Sequence, residues 1–182
     1  MSNTGSETTT PTTTGATPVM TRPVATPVDP HRYVRPGGRG DRWANALIRW
    51  LTAHGVSLRG SRVLTVTGRR SGLPRSTPVN LLRHDGEHYL VAPRGRTEWV
   101  RNVRASDGAA ELALGRRTDR VTLVEVPVPE RVPVIRAYVD AWYWEVGKFV
   151  EGLDRSSTDA DILAVAPGMP VFRVTPRVAC DG

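Results

Sequence analysis

Cysteine is almost absent from the sequence, which limits the ways in which the fold can be stabilised. The only cysteine is Cys180, two residues before the end of the chain. A disulfide within the chain is therefore impossible, and one thiol does not support a thiolate metal site. We predict no metal centre, and the low cysteine content fits a reducing compartment. A domain of about 145 residues can instead form a core from apolar side chains alone.

Long apolar runs are also missing. No stretch approaches the roughly 18 consecutive apolar residues of a transmembrane helix, and the first 30 residues lack the apolar segment of a signal peptide. We therefore expect no stable membrane insertion and a cytoplasmic location, with peripheral contact to a membrane left open.

Lysine is nearly absent too, with Lys148 set against 24 arginines. High genomic GC content produces such a bias, so the position of the charge is more informative than the ratio. Residues 59–104 contain ten arginines and three acidic residues, a local charge of +7 that equals the net charge of the whole chain. A surplus confined to one segment indicates a site for an anionic ligand.

The N-terminal residues predict a tail. Residues 1–30 contain ten threonines and five prolines and show no periodic apolar face. Such a segment buries too little surface to offset its ordering entropy. We predict a disordered tail over residues 1–38 and one folded domain over residues 39–178.

Short strands in series dominate the folded part, with helices before, within and after them. Apolar spacing predicts helices at residues 41–54, 97–105, 129–151 and 157–164, and strands at 62–67, 77–83, 88–92, 107–114, 118–126 and 170–174. Strands and helices do not alternate regularly, which disfavours a parallel sheet. We predict a mainly β, α+β fold: a small antiparallel β-barrel with flanking helices.

The turn at residues 68–75, GRRSGLPR, is the first candidate site. Its glycines allow successive backbone N–H groups to converge on an anion. Arg69, Arg70 and Arg75 can add charge-assisted hydrogen bonds, and Ser71 adds a hydroxyl. The alternative is a solvated basic turn between two strands.

The second candidate site follows the third predicted strand. Pro93, Arg94 and Gly95 form a loop, and Trp99 and Asn102 share one face of the next helix because they are three residues apart. A glycine loop before a helix is typical of a ligand rim. In the alternative, Trp99 packs in the core and Asn102 bonds backbone groups.

A third group is aromatic and lies on the second long helix. Tyr138 and Trp142 share a helical face, whereas Trp144 points elsewhere. These rings could cover a flat ligand, and packing in the core or in a dimer explains them equally well.

Taken in order, three segments resemble a known family. LTVTGRRSGLPRSTPV, DGEHYLVAPRG and EWVRN, followed by PGMPVFRVTP, closely resemble the deazaflavin-dependent nitroreductases, which are reductases that use coenzyme F420. The resemblance covers about residues 56–174. It implies a split β-barrel like that of proteins that bind flavin mononucleotide (FMN), with the deazaflavin in a groove across the barrel.

The resemblance also implies which residues bind the cofactor. The phosphate and acidic tail would meet the basic turn, and the ring would lie between one strand and the following loop. The implied cofactor-binding residues are Arg69, Arg70, Ser71, Gly72, Arg75, Thr77, Pro78, Ala92, Pro93, Arg94, Gly95, Trp99 and Asn102.

One implied contact departs from the family pattern. Pro93-Arg94 stands where relatives often have Ser-Lys, so a hydroxyl donor near the ring is lost. Arg94 or the Gly95 N–H would have to replace it.

The implied function is hydride transfer from reduced F420 to an electron-poor small molecule such as a quinone, an enone or a nitroaromatic. Tyr138, Trp142 and Trp144 would then bind the acceptor. One alternative is a split-barrel protein that binds FMN or stores a cofactor. Another is a basic nucleic-acid-binding module, which the absence of a recognition helix or stacking motif disfavours, so we predict no nucleic-acid partner. The sequence leaves monomer and homodimer open.

Overall fold

The structure is a computed structural model of the chain, and it describes residues 28–33, 61–146 and 153–177. The helix predicted at residues 41–54 lies outside the described residues. Within the described ranges, six strands and three α-helices follow one another. They are β1 (Ser61–Thr67), β2 (Pro74–His84), β3 (Glu87–Val91), α1 (Glu98–Ala105), β4 (Ala109–Leu114), β5 (Arg117–Glu125), α2 (Arg131–Val146), α3 (Asp159–Val165) and β6 (Val171–Pro176).

The six strands form a closed barrel in the order β1-β2-β3-β6-β5-β4, and every pair is antiparallel. This confirms the predicted antiparallel barrel with flanking helices. Alternating side chains explain why these segments close around a core, because residues i and i+2 of a strand share one face. Leu64 and Val66 of β1 are 0% and 3% exposed, and both point into this core.

The hairpin between β2 and β3 turns over two residues, as the sequence Asp85-Gly86 indicates. Asp85 and Gly86 have positive φ values of 49° and 81°. Two consecutive residues of positive φ are typical of the turn that matches the natural twist of paired strands.

Strand β2 is longer than predicted and has two different halves. Its residues 74–80 pair with β1, whereas only residues 81–84 pair with β3. Among the described residues, no strand pairs with the other edge of residues 74–80. Pro78 lies in this half, opposite Val63. Proline has no N–H to donate to a second strand, so an edge position suits it.

The second long helix begins later and is less regular than predicted, and its predicted residues 147–151 lie outside the described residues. A 3-10 turn, Val128–Glu130, precedes α2, and the helix is interrupted at Trp142, where φ is −135° and ψ is 38°. The short helix α3 follows the prediction more closely. Thr158 caps it, and the side chain of Asp161 accepts a hydrogen bond from the Thr158 N–H, which completes a capping box.

Two apolar clusters hold these elements together. One fills the barrel and includes Leu64, Leu90 and Phe172. The other lies between the barrel and the helices and includes Ile135 of α2 and Ile162 of α3. Helices α2 and α3 therefore cover one side of the barrel and extend its core.

Residues 28–33 cross the loop that follows β3, although they belong to the predicted tail. The Val28 N–H donates to Ala164 O at 3.3 Å, and the Arg96 N–H donates to Arg32 O at 2.9 Å. Tyr33 forms a single β-bridge with Gly95. We call residues 28–33 the strap. The rest of the predicted tail lies outside the described residues.

A buried arginine joins the barrel to the helices. Arg131 at the start of α2 is 6% exposed. Its guanidinium donates to Val126 O at 2.8 Å, to Ala166 O at 3.0 Å and to Glu125 Oε1 at 3.0 Å. Arg104 of α1 binds the same carboxylate through two hydrogen bonds of 2.7 and 2.8 Å. One network thus links β5, α1, α2 and the segment before β6.

We expect Arg131→Ala to lower the free energy of unfolding by about 3–5 kcal/mol, because it leaves buried acceptors without a donor. Urea unfolding measures the loss. Arg136→Ala is the matched control, since Arg136 forms a more exposed pair with Asp159 at 2.6 Å and such pairs contribute about 0–1 kcal/mol. Equal losses in the two variants would contradict this role for Arg131.

The Glu125 carboxylate should make stability depend on pH. Burial raises its pKa, but the hydrogen bond from Arg104 and the charges of Arg104 and Arg131 outweigh burial and lower the pKa below 4.5. A lowered folded-state pKa gives stability above the unfolded-state pKa, which is lost as pH falls through the folded-state pKa. Glu125→Gln should therefore show a smaller decline in the free energy of unfolding below pH 4.5. Identical declines in acid titrations of both proteins would refute this.

Candidate functional site

The basic turn between β1 and β2 is closed by its own hydrogen bonds. The N–H groups of Ser71 and Gly72 donate to Gly68 O at 3.2 and 2.8 Å, and the Gly68 N–H donates to Leu73 O at 2.9 Å. The Leu73 N–H donates to Ser71 Oγ at 3.3 Å. These N–H groups do not converge on an anion, so this part of the prediction is wrong. The turn uses the N–H groups of Gly68, Ser71, Gly72 and Leu73 within itself.

Two arginines of the turn remain exposed. Arg70 and Arg75 lie on the surface with Ser71, and Arg75 Nη2 is 3.5 Å from Ser71 Oγ. In the part of the chain that the structure describes, neither arginine forms an ion pair with an acidic side chain. Side chains, rather than backbone groups, are therefore what this turn offers to an anion.

Arg69 is held against helix α1. Its Nη1 donates to Glu98 Oε2 at 2.7 Å and to Asn102 Oδ1 at 3.0 Å, and its backbone N–H donates to the same Asn102 oxygen at 3.2 Å. The hydrogen bond from Arg69 lowers the pKa of Glu98. The structure thus brings Arg69 and Asn102 together, as parts of one network.

The loop after β3 is mostly buried. Ala92, Pro93 and Gly95 are buried, and Arg94 is half-buried. The Gly95 N–H donates to Ala92 O at 2.9 Å. It therefore cannot also serve as the replacement donor that the prediction considered, which leaves Arg94 for that role.

Trp99 and Asn102 make the contacts of the alternative interpretation, in which Trp99 packs in the core and Asn102 bonds backbone groups. The Trp99 ring packs against Phe172, with ring centroids 5.5 Å apart, and Asn102 is 5% exposed. Thr77 and Pro78 are half-buried on the half of β2 that, in the described part of the chain, pairs only with β1.

Tyr138 and Trp142 are core residues in this structure. They are 2% and 6% exposed, and their ring centroids lie 4.9 Å apart. Asn80 Nδ2 is 3.5 Å from Tyr138 Oη, which ties α2 to β2. Burial leaves these rings no open surface on which to cover a ligand. The side chain of Trp144, the third predicted acceptor residue, lies outside the described side chains.

The family model for F420H(2)-dependent quinone reductase matches residues 42–156, more than half of the chain. The chain belongs to this family. It is therefore an oxidoreductase that uses coenzyme F420, which confirms the predicted enzyme class and cofactor.

Several solved structures resemble this quinone reductase family member in shape. One, described as an F420-H2 Dependent Reductase (FDR-A), is 24% identical, with 64% of this chain and 95% of that chain covered and a TM-score of 0.43. Another is described as an F420 Reductase, at 15% identity, 70% and 93% coverage and a TM-score of 0.40.

A putative pyridoxamine 5'-phosphate oxidase from Listeria innocua is 14% identical, with 72% and 94% coverage and a TM-score of 0.41. The assignment of the chain to its family rests on the family model alone, because the TM-scores of these structures are all below 0.5. No curated protein sequence matches the chain.

Sequence reasoning missed two residues that contact the candidate site. Glu98 binds Arg69. Tyr33 of the strap packs under Arg101, whose Cζ lies 5.6 Å from the centroid of the Tyr33 ring. The spacing of Glu98 and Arg101, three residues apart on a helix, was the available signal for an ion pair. No helix among the described residues is both long and apolar enough to cross a membrane.

We expect Gly95→Ala to destabilise the protein more than Gly86→Ala, a control with almost the same φ. The two φ values are +80° and +81°, so both variants should lose about 1–2 kcal/mol from the left-handed conformation. At Gly95 the new Cβ would also lie 2.1 Å from Arg32 O, whereas nothing lies within 4 Å at Gly86. This overpacking should cost about 1–3 kcal/mol more. If urea unfolding gives the two variants equal losses in the free energy of unfolding, the strap moves aside without destabilising the protein.

Proposed function

We propose that the protein transfers a hydride from reduced F420 to an electron-poor small molecule, such as a quinone, an enone or a nitroaromatic. The observation that carries this proposal is the exposed pair Arg70 and Arg75 beside Ser71, with no acidic partner among the described residues. The pair stands at the end of β2 whose outer edge pairs with no strand among the described residues. Such an edge beside a cationic turn suits a long, flat, acidic ligand.

The donor chemistry of the turn fits the acidic end of F420. The cofactor carries a phosphate and several glutamates, and guanidinium groups bind phosphate and carboxylate oxygens with paired hydrogen bonds. Arg70, Ser71 and Arg75 bind these groups, and Gly72 lets the turn close tightly at φ +66°. Arg69, in the β1–β2 turn, adds a third guanidinium that Glu98 of α1 holds in place.

The ring end lies along β2 and the loop after β3. Thr77 and Pro78 would line one side, and Ala92, Pro93 and Arg94 the other, with Trp99 and Asn102 behind. Bound there, the deazaflavin would supply a two-electron hydride. The Arg94 guanidinium, which is half-buried, would stabilise negative charge on the ring, and the buried loop would keep water away.

The acceptor class follows from hydride chemistry and from the quinone reductase family. A quinone, an enone and a nitroaromatic each accept a hydride at an electron-poor, flat centre. Because Tyr138 and Trp142 are buried, they support α2 from inside rather than cover the acceptor.

We expect Arg75→Ala to weaken F420 binding about tenfold to a hundredfold, because it removes a charge-assisted contact worth roughly 1.5–3 kcal/mol. Arg117→Ala is the control: it removes the same charge from another turn, where Arg117 pairs with Asp119 at 3.0 Å. Fluorescence titration gives both affinities. Oxidation of reduced F420 by a benzoquinone, an enone and a nitrobenzene then ranks the acceptors.

Two results would reject this function. One is tighter binding of FMN than of F420 by the unmodified protein. The other is F420 binding without oxidation of reduced F420 by any of the three acceptors.

A further inference from the structure

Glu98 is held between two arginines at the start of α1. Its Oε2 accepts from Arg69 Nη1 at 2.7 Å, and its Oε1 accepts from Arg101 Nη1 at 3.0 Å. Arg101 in turn lies over the ring of Tyr33 in the strap. Both carboxylate oxygens are therefore used, and the side chain has little freedom although it is 61% exposed.

This arrangement uses only one edge of Arg69. Both recorded side-chain hydrogen bonds leave from Nη1, one to Glu98 and one to Asn102. A guanidinium has five N–H donors in a rigid fork. Within the described ranges, Nε and Nη2 of Arg69 make no hydrogen bond, so the Nε–Nη2 edge offers a pair of N–H groups to a ligand, one from each nitrogen.

We propose that Glu98 is a positioning residue: it fixes Arg69 so that the Nε–Nη2 edge of the guanidinium receives an oxyanion of the cofactor. The inference rests on the proposed function, because the oxyanion is the phosphate or a tail carboxylate of F420. Arg70 and Arg75 supply exposed charges on the surface, whereas Arg69 supplies one prealigned pair of donors. Prealignment lowers the entropy lost on binding.

An opposing effect makes the proposal easy to test. Glu98 carries a negative charge beside an anion site, so its removal alone should strengthen the binding of an acidic ligand. If Glu98 positions Arg69, its removal weakens binding instead. The two effects have opposite signs, and exposed ion pairs contribute little to folding, so the variant should remain folded.

The experiment is F420 titration of Glu98→Ala, Glu98→Gln and the control Glu87→Ala. Glu87 is an exposed acid at the β2–β3 hairpin, so the control makes the same charge change. We expect Glu98→Ala to raise the F420 Kd about threefold to tenfold. Glu98→Gln, which keeps an oxygen acceptor, should recover part of the affinity, and Glu87→Ala should bind as tightly as the unmodified protein or more tightly. In turnover, KM for reduced F420 should rise while kcat stays unchanged.

Two further arms show where Glu98 acts. In an Arg69→Ala background, Glu98→Ala should no longer raise the Kd and should leave it unchanged or lower it, since only the charge of Glu98 is then lost. A form of F420 that lacks glutamates identifies the oxyanion: an undiminished effect assigns the phosphate, and a lost effect assigns a tail carboxylate.

Equal or tighter F420 binding by Glu98→Ala would overturn the positioning role and leave the proposed function intact. If the unmodified protein itself does not bind F420, the proposed function fails first.

Discussion

The buried guanidinium of Arg131 is the contact on which the arrangement of barrel and helices depends. It satisfies backbone carbonyls at the end of β5 and before β6 and the carboxylate of Glu125, which Arg104 also binds. A cation that is 6% exposed persists only with such partners. Because the network contacts both helices that flank the candidate site, α1 and α2 cannot shift independently of the barrel.

The site itself is built on a division between fixed and exposed charge. Arg69 is bonded to Glu98 and Asn102 and belongs to the frame, whereas Arg70 and Arg75 stay on the surface. Fixed donors contribute geometry, and exposed ones contribute attraction for an acidic ligand. The strap extends the frame, since Tyr33 packs on Arg101, which binds Glu98. A segment that precedes the matched family region thus contacts the wall of the proposed site.

Several features were predictable because they depend on local chemistry. The Asp85-Gly86 turn, the capping of α3 by Thr158 and the antiparallel series of strands follow from neighbouring residues alone. The family and its cofactor were predictable because residues 61–102 keep an ordered set of motifs. The anion nest was not predictable, because the same glycines that permit converging N–H groups also permit a turn that binds its own carbonyl, as Gly68 does.

The sequence by itself determined the antiparallel strands, the concentration of positive charge in residues 59–104 and the F420-dependent family. Only the tertiary structure decided which arginines are exposed, that Tyr138 and Trp142 are buried, and that Glu98 lies between Arg69 and Arg101. Charge and periodicity are properties of adjacent residues, and a chain carries them before it folds. Burial and ion-pair choice depend on segments that meet only when the barrel closes, such as the β1–β2 turn and helix α1.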